Sequence, residues 1–375
     1  MTSPTVAPPD VELRTLRWRP FRLSMSARFQ AASGVLDHRD GVLLQLEDTS
    51  GRTGTGEASP MTAIDGGSVT DVLALLEAHR AALVSTHPPE LGTAPGVPAL
   101  RCALDVALRD LEAQAAGKPL AALFAEEPAP WVSVNAVIGG GPPNEVANYG
   151  LQALEAGYSV LKLKVGLASL DEDAERVAAL RDACPEATIR LDANAAWSED
   201  EALRAFDRLY PYRIELLEQP VARDNVEALA RLRNRAPMRI AADEAVDTPE
   251  LFERVLELRA ADFVVLKPMF LGGVTPAIGL AERAAARGIS AFATTTFDSS
   301  IGIAASLHLA AALPTDAAQG LGTGAHLGAD VVDHTLTARA GRLALPSAPG
   351  LGVAPDPAAL DAVATAPWTE VTVGA

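Results

Sequence analysis

From about residue 129 onward, short β-rich runs alternate with alanine-rich stretches of helical periodicity. The runs are "VSVNAVI", "VLKLKVG", "TIRLDAN", "IELLEQP", "RIAADEA", "FVVLKP", "SAFATTTF" and "QGLGTG". Five successive runs each carry one polar landmark: Lys164, Asp192, Glu218, Asp243 and Lys267. The gaps between them are 28, 26, 25 and 24 residues. A strand, a loop and a helix together take about that many residues, and eight such units predict a (β/α)8 barrel of the TIM type over residues 129–328. A doubly wound sheet is the alternative. It would need a glycine-rich phosphate fingerprint after an early strand, and neither "GGGPP" nor "LGGV" is one.

The chain before the barrel reads differently. "VELRTLRWRPFRL" and "GVLLQLEDTSGRTGTGEASP" read as β segments, followed by helical patterns in "VTDVLALLEAHRAALV" and "PALRCALDVALRDLEAQAAG". Residues 1–128 therefore form an α+β region that ends at the linker "EEPAP". Residues 329–375 read as β structure returning to pack on that region.

Composition restricts the partners. The formal net charge is −17, whereas nucleic acids and anionic membranes call for a basic surface. The most apolar window, "IGIAASLHLAAAL", is shorter than a membrane span. Cys102 and Cys184 match no metal-ligand spacing and suggest a reducing compartment, and the N-terminus lacks the pattern of a secretory signal. A soluble, cytoplasmic protein is expected. Its partner would be a small-molecule carboxylate, with no nucleic acid and no membrane, and it could assemble as a homo-oligomer.

Each landmark lies near the C-terminal end of its strand, and in a barrel those ends face one mouth. Asp192, Glu218 and Asp243 come from three consecutive strands, so their carboxylates would repel one another without a cation. Hard oxygen ligands suit Mg2+, with Mn2+ as a substitute. Zinc fits less well, because no histidine falls in these strands. Lys162 and Lys164 share one strand face, and Lys267 comes from across the barrel. A partly desolvated lysine next to a cation loses proton affinity and can act as a base. Alone, one strand-end aspartate reads as a helix N-cap and one lysine as a snorkelling side chain. Five such residues at barrel period do not reduce to caps and snorkels.

The order K-x-K, D-x-N, E-Q-P, D-E, K-P resembles the enolase superfamily, specifically its muconate-lactonizing-type subgroup. "GRTGTGEASP" and "ALRCALDVALRDLEAQAAGKPL" resemble that family's capping domain, so the likeness spans nearly the whole chain. The resemblance implies a modified TIM barrel with an α+β capping domain built from the N-terminal region and the C-terminal tail. It makes Asp192, Glu218 and Asp243 the Mg2+ ligands. Lys164 becomes the proton-abstracting base, Lys267 the opposite lysine and Lys162 the tuner of Lys164. Asn194 and Glu244 become partners that orient ligands and lysines.

Within the subgroup, "VSVNAVIGGG" and "TTTFDSSIGIAASLHLAAALP" resemble o-succinylbenzoate synthases, which act in menaquinone synthesis. Dipeptide epimerases carry an Asp-x-Asp at the eighth strand, where this chain has Gly320, Leu321, Gly322 and Thr323. A substrate ammonium would be unpaired there, at a cost. Racemisation of an N-succinylamino acid is the runner-up. Muconate cycloisomerisation, dipeptide epimerisation and a non-catalytic carboxylate-binding barrel come after it. Ser299 and Ser300 are expected to shape the succinyl pocket. Arg190 is expected to contact a carboxylate or form an internal ion pair. Arg28, with His38 and Arg39, would meet an anionic substrate from a loop that closes over it.

Overall fold

The computed structural model describes residues 11–31, 34–84 and 91–373, without the side chains of 27–31, 34, 35, 63 and 65. The N-terminal sheet is antiparallel. Strands β1 (Leu13–Ala31), β2 (Gly34–Asp48) and β3 (Thr53–Ala58) follow one another, and the last strand of the chain, β13 (Thr369–Thr372), adds beside β1. The segment expected as a closing loop is the far end of the β1–β2 hairpin, where Ser24 pairs with His38 and the register shifts before Phe29. The helix Val97–Ala115 lies on β3. It comes close because Gly54 and Gly56 lack a side chain: a Cβ there would stand 2.0 Å from the carbonyl oxygens of Ala107 and Ala103.

Two further strands frame the barrel, β4 (Trp131–Ser133) and β12 (Arg342–Ala344), which pair with each other. The barrel sheet itself is parallel and follows chain order. It comprises β5 (Ala136–Ile138), β6 (Val160–Lys164), β7 (Thr188–Asp192), β8 (Ile214–Glu218), β9 (Arg239–Ala242), β10 (Phe263–Leu266) and β11 (Ser290–Ala293). These strands read as near-continuous apolar runs because helices cover them outside and other strands face them inside. Leu216, Ala241, Phe263, Val265 and Phe292 form the small apolar cluster within the barrel.

The eighth run departs from expectation. Only Gln319 and Gly320 bridge the neighbouring strands, at Val134 and Thr294, before the chain turns into the 3-10 helix Gly322–His326. Gly320 lies against Thr294, where a Cβ would come within 2.5 Å of Thr294 Cγ2. The Gln319 side chain completes the closure, with Ala293 N–H donating to its Oε1 (2.7 Å). Barrel closure thus needs two residues and one amide here, and no full strand.

Two carboxylates of the N-terminal region meet the N-termini of barrel helices. Asp105 accepts from Thr275 N–H (3.0 Å) at the helix Val274–Ala285, and Glu57 accepts from Ser299 and Gly302 N–H at the helix Ser300–Ala312. Acids at helix N-termini satisfy free N–H groups and oppose the helix dipole. The apolar helix Ser300–Ala312 is buried, and among the described residues no helix is long and apolar enough to cross a membrane.

His308, on that buried helix, joins three parts of the chain. Its Nδ1 accepts from Ala121 N–H (3.0 Å), and its Nε2 faces the Leu351 carbonyl at 2.9 Å. Burial pushes its pKa down to about 4. An unfolded histidine titrates near 6.5 (roughly), so the unfolded chain takes up the proton first. The neutral ring therefore contributes fully above that pH, and the contribution falls as pH drops toward 4. By pH 5 about 2 kcal/mol of stability should be lost through this group. Urea denaturation at pH 7 and pH 5 should show that loss in the native chain and a smaller one in His308→Gln; equal losses would refute it.

Candidate active site

The strand order brings the polar residues of consecutive strands to one mouth. Cα register aligns Lys162 with Arg190, and Lys164 with Asp192 and Glu218. The chain leaves two of these strands in left-handed backbone, at Asn194 (φ 43°) and Gln219 (φ 34°). Non-glycine residues hold such conformations only when their surroundings fix them. Gln219 shows how: its Oε1 accepts from Asp243 N–H (2.9 Å) and Ala245 N–H (3.2 Å), and its Nε2 donates to Val221 O (2.8 Å). It ties the end of β8 to the end of β9. The motif E-Q-P contained this residue, but spacing gives no sign of its task.

The lysines and acids form one network. Lys162 Nζ lies 2.5 Å from Glu218 Oε1 and 2.9 Å from Asp192 Oδ2. Lys164 Nζ donates to Asp192 Oδ2 (2.6 Å) and Asn194 Oδ1 (2.8 Å). Asn194 in turn donates through Nδ2 to Glu244 Oε1 (3.2 Å), and its N–H donates to Asp192 Oδ1 (3.0 Å). Lys267 Nζ donates to Asp243 Oδ2 (2.6 Å). Asp192, Glu218 and Asp243 are at most 2% exposed.

Burial opposes charge on Lys162, Lys267, Asp192, Glu218 and Glu244, and the neighbours decide the outcome. Burial alone would lower Lys162, but Asp192, Glu218 and Asp243 hold its ammonium well above the usual lysine range. Lys267 behaves likewise, raised against burial by Asp243, Glu244, Asp247 and Glu218. The lowered proton affinity expected of a lysine applies beside a cation, whereas here carboxylates are the nearest charges to both. Asp192, with two ammonium groups on one oxygen, stays well below the usual carboxylate range despite burial. Glu218 is pushed up to about 8 by burial and by Asp192, and Glu244 to about 7 by burial and Asp243. Burial and like charge thus hold Glu218 and Glu244 toward their neutral forms, while Asp192 stays readily ionised.

Among the described residues no acids, histidines or cysteines stand already arranged as a metal cage, and Lys162 sits between two of the carboxylates. The donor set nevertheless fits a hard divalent cation. Glu218 Oε2 and Asp243 Oδ1 are buried and make no hydrogen bond. Such oxygens are costly to leave unpaired, and carboxylate oxygens are the ligands that Mg2+ takes.

The expected substrate contacts that the structure describes have partners of their own. Arg190 is 2% exposed, and its Nε donates to Glu215 Oε2 (2.7 Å) at the start of β8, away from the mouth. Its Nη1 donates to Ala318 O (2.7 Å), and the guanidinium stacks 5.4 Å from the Phe292 ring. Of the two expectations for Arg190, the internal ion pair is the one this geometry meets. Ser299 and Ser300 are fully buried and already bonded: Ser299 Oγ donates to Glu57 Oε2 (2.5 Å) and caps its helix, and Ser300 Oγ donates to Asp330 Oδ2 (2.6 Å). Neither hydroxyl is left to shape a succinyl pocket. Arg39 is buried on the Thr296 carbonyl (3.0 Å), whereas His38 stays partly exposed beside Asp37 and Asp40. The side chain of Arg28 lies outside the described residues. One acid missing from the expected set is Asp247, whose Oδ2 is buried without a hydrogen bond, 3.6 Å from Arg223 Nη1. Burial first, then Asp243 against Lys267, leaves it at about 7.

Comparison with known proteins accords with this geometry. The family described as "Enolase C-terminal domain-like" matches residues 145–359. Muconate cycloisomerase 1 of Rhodococcus opacus is 32% identical over 72% of this chain and 72% of its own length. The o-succinylbenzoate synthase of Thermobifida fusca is 40% identical over 55% of this chain and 63% of its own. Among solved structures, the dipeptide epimerase of Enterococcus faecalis complexed with Mg and L-Leu-L-Tyr superposes with a TM-score of 0.85 at 27% identity. It covers 92% of this chain and 100% of that one. The family match spans more than half of the residues and includes every landmark of the barrel mouth: the chain belongs to the enolase superfamily.

Proposed function

We propose that this protein is an o-succinylbenzoate synthase, dehydrating 2-succinyl-6-hydroxy-2,4-cyclohexadiene-1-carboxylate in menaquinone synthesis. The observation that carries the reading is the neutral eighth position. Where an ammonium-bearing substrate would need a carboxylate, the chain has Gly320 packed on Thr294, and Thr323 hydrogen-bonded to Thr295 (2.7 Å). An uncharged ring fits such a wall, whereas an ammonium would lack a counter-charge. The 40% identity to the Thermobifida fusca enzyme supports the same choice.

Asp192, Glu218 and Asp243 would hold the Mg2+. A divalent cation there would neutralise these acids, loosen their hold on the lysines, and bind the substrate carboxylate so that its α-proton becomes more acidic. Lys164, oriented by Asn194, takes the proton from the carbon α to that carboxylate. The C–O bond to the ring hydroxyl then breaks, and the Lys164 ammonium gives its proton to the departing group, releasing water. Aromatisation makes the step strongly downhill. Lys162 keeps its charge and opposes the negative charge that develops, and Lys267 faces the planar anion from the other side, where a cation–π contact adds to its hold.

Racemisation of an N-succinylamino acid is the second reading, favoured by lysines on two separate strands, β6 and the end of β10. Assay of the cyclohexadiene carboxylate beside an N-succinylamino acid, both with Mg2+, separates the two. Dehydration should be the faster reaction; racemisation far faster than dehydration would overturn the assignment.

A further inference from the structure

Residues 294–298 leave β11 at the barrel mouth and form the wall next to Lys267. Thr294 N–H bonds to Leu266 O (3.0 Å), which sets Thr294 level with Lys267. Strand alternation puts Thr294 on the face of Phe292, which packs inside the barrel. Its Oγ1 is buried and makes no hydrogen bond. Three residues on, Phe297 adopts φ 61°. An L-residue holds that conformation only where its flanks are fixed.

Both flanks are fixed by the N-terminal sheet. On one side Arg39, 3% exposed, spreads its guanidinium over three carbonyls: Nε to Thr296 (3.0 Å), Nη1 to Pro60 (2.5 Å) and Nη2 to Ser59. Its Nη2 also lies 3.6 Å from Asp298 Oδ1, and Asp298 in turn accepts from Thr296 Oγ1 (3.1 Å). On the other side Glu57, 1% exposed, accepts four hydrogen bonds. Ser59 Oγ (2.5 Å) and Ser299 N–H (3.1 Å) reach one oxygen, and Ser299 Oγ (2.5 Å) and Gly302 N–H (2.9 Å) the other. Because Ser299 Oγ accepts from Ile301 N–H, its own proton points to Glu57. Gly302 belongs to the same fit, since a Cβ there would stand 2.6 Å from Asp298 Cβ and 3.1 Å from Glu57 Oε2.

We propose that Arg39 and Glu57 are positioning residues, a clamp from the N-terminal sheet that holds residues 294–298 in their strained shape and so sets the substrate-facing wall beside Lys267. This rests on the reading that substrate lies between Lys164 and Lys267. Arginine suits the task because its planar fork reaches several carbonyls at once, which an ammonium cannot do.

The test is hydrogen–deuterium exchange of the full chain without substrate, paired with steady-state kinetics on the cyclohexadiene carboxylate. In Arg39→Lys, peptides covering 294–299 should exchange roughly tenfold faster while those covering 188–192 stay unchanged, and KM should rise roughly tenfold with kcat nearly preserved, as expected for about one lost hydrogen bond to a well-held wall. Glu57→Gln should give the same pattern, and carries the measurement alone if Arg39→Lys fails to fold. Unchanged exchange at 294–299, or a lowered melting temperature with kcat and KM both unaltered, would overturn the clamp. If the native protein turns over no cyclohexadiene carboxylate, the proposed function falls, and the exchange result still decides whether the clamp exists.

Discussion

Replacing Lys164 with alanine should lower turnover by about 10³- to 10⁴-fold, the upper range for a positioned general base. Lys164 is held by two acceptors, Asp192 Oδ2 at 2.6 Å and Asn194 Oδ1 at 2.8 Å. Its removal takes one ammonium from Asp192 but leaves the other, Lys162 at 2.9 Å, so the acid keeps a counter-charge and the barrel should stay folded. Steady-state turnover with matched circular dichroism checks both halves. Activity within tenfold of native would remove Lys164 from the chemistry. Lys267→Ala separates the two readings of the site: racemisation needs both lysines as bases, whereas dehydration through Lys164 should survive with a smaller loss.

Loss of divalent metal should stop turnover altogether, and Asp243→Asn should weaken Mg2+ binding by at least about 100-fold. Residues that merely orient ligands typically cost about 10- to 100-fold, so a ligand should cost no less. Asp243 has one oxygen on Lys267 and the other buried without a hydrogen bond, and the amide keeps its shape while removing the charge. Calorimetric titration of native and variant protein with Mg2+ alone reads the binding directly. Full turnover in excess chelator, or equal Mg2+ affinity in Asp243→Asn, would show that these carboxylates serve only the lysines.

The barrel and its mouth were legible because parallel strands impose a rule that spacing can reveal. Each strand enters at one end and leaves at the other, so a polar residue at each C-terminal end returns every 24 to 28 residues, and the fold collects these residues on one face. Face is legible from alternation, but the direction of a long side chain is not. Arg190 stands level with Lys162 on the neighbouring strand, yet its guanidinium turns toward Glu215 at the opposite end of the barrel. Ser299 and Ser300 follow the mouth in sequence, but a helix begins there, and its free N–H groups and nearby acids claim both hydroxyls. Arg39 was legible as an arginine near the site, whereas its actual partners are the Thr296 carbonyl, 257 residues away, and the carbonyls of Ser59 and Pro60 just past β3. Gln219 works through two backbone N–H groups of the next strand, a contact with no sequence period. The eighth strand was read from the run "QGLGTG" as the last of the alternating series, and closure used only Gln319 and Gly320 of it.

Lysine protonation turns on a similar detail. Sequence placed the lysines near a cation, and elementary electrostatics then lowers their proton affinity. The structure shows each of them against a carboxylate at 2.5 to 2.6 Å, which acts the other way on Lys162 and Lys267. Which sign prevails during catalysis depends on what the three carboxylates hold.

Proton exchange at the α carbon tests the chemistry most directly. Whichever of the two carboxylates the native protein turns over is incubated with Mg2+ in deuterated water, and the α-proton is followed by NMR in substrate and product. The proposed mechanism predicts that native protein removes the α-proton signal at a rate matching or exceeding turnover, and that Lys164→Ala leaves it intact over the same period. Equal loss of the signal in both proteins would contradict proton abstraction by Lys164.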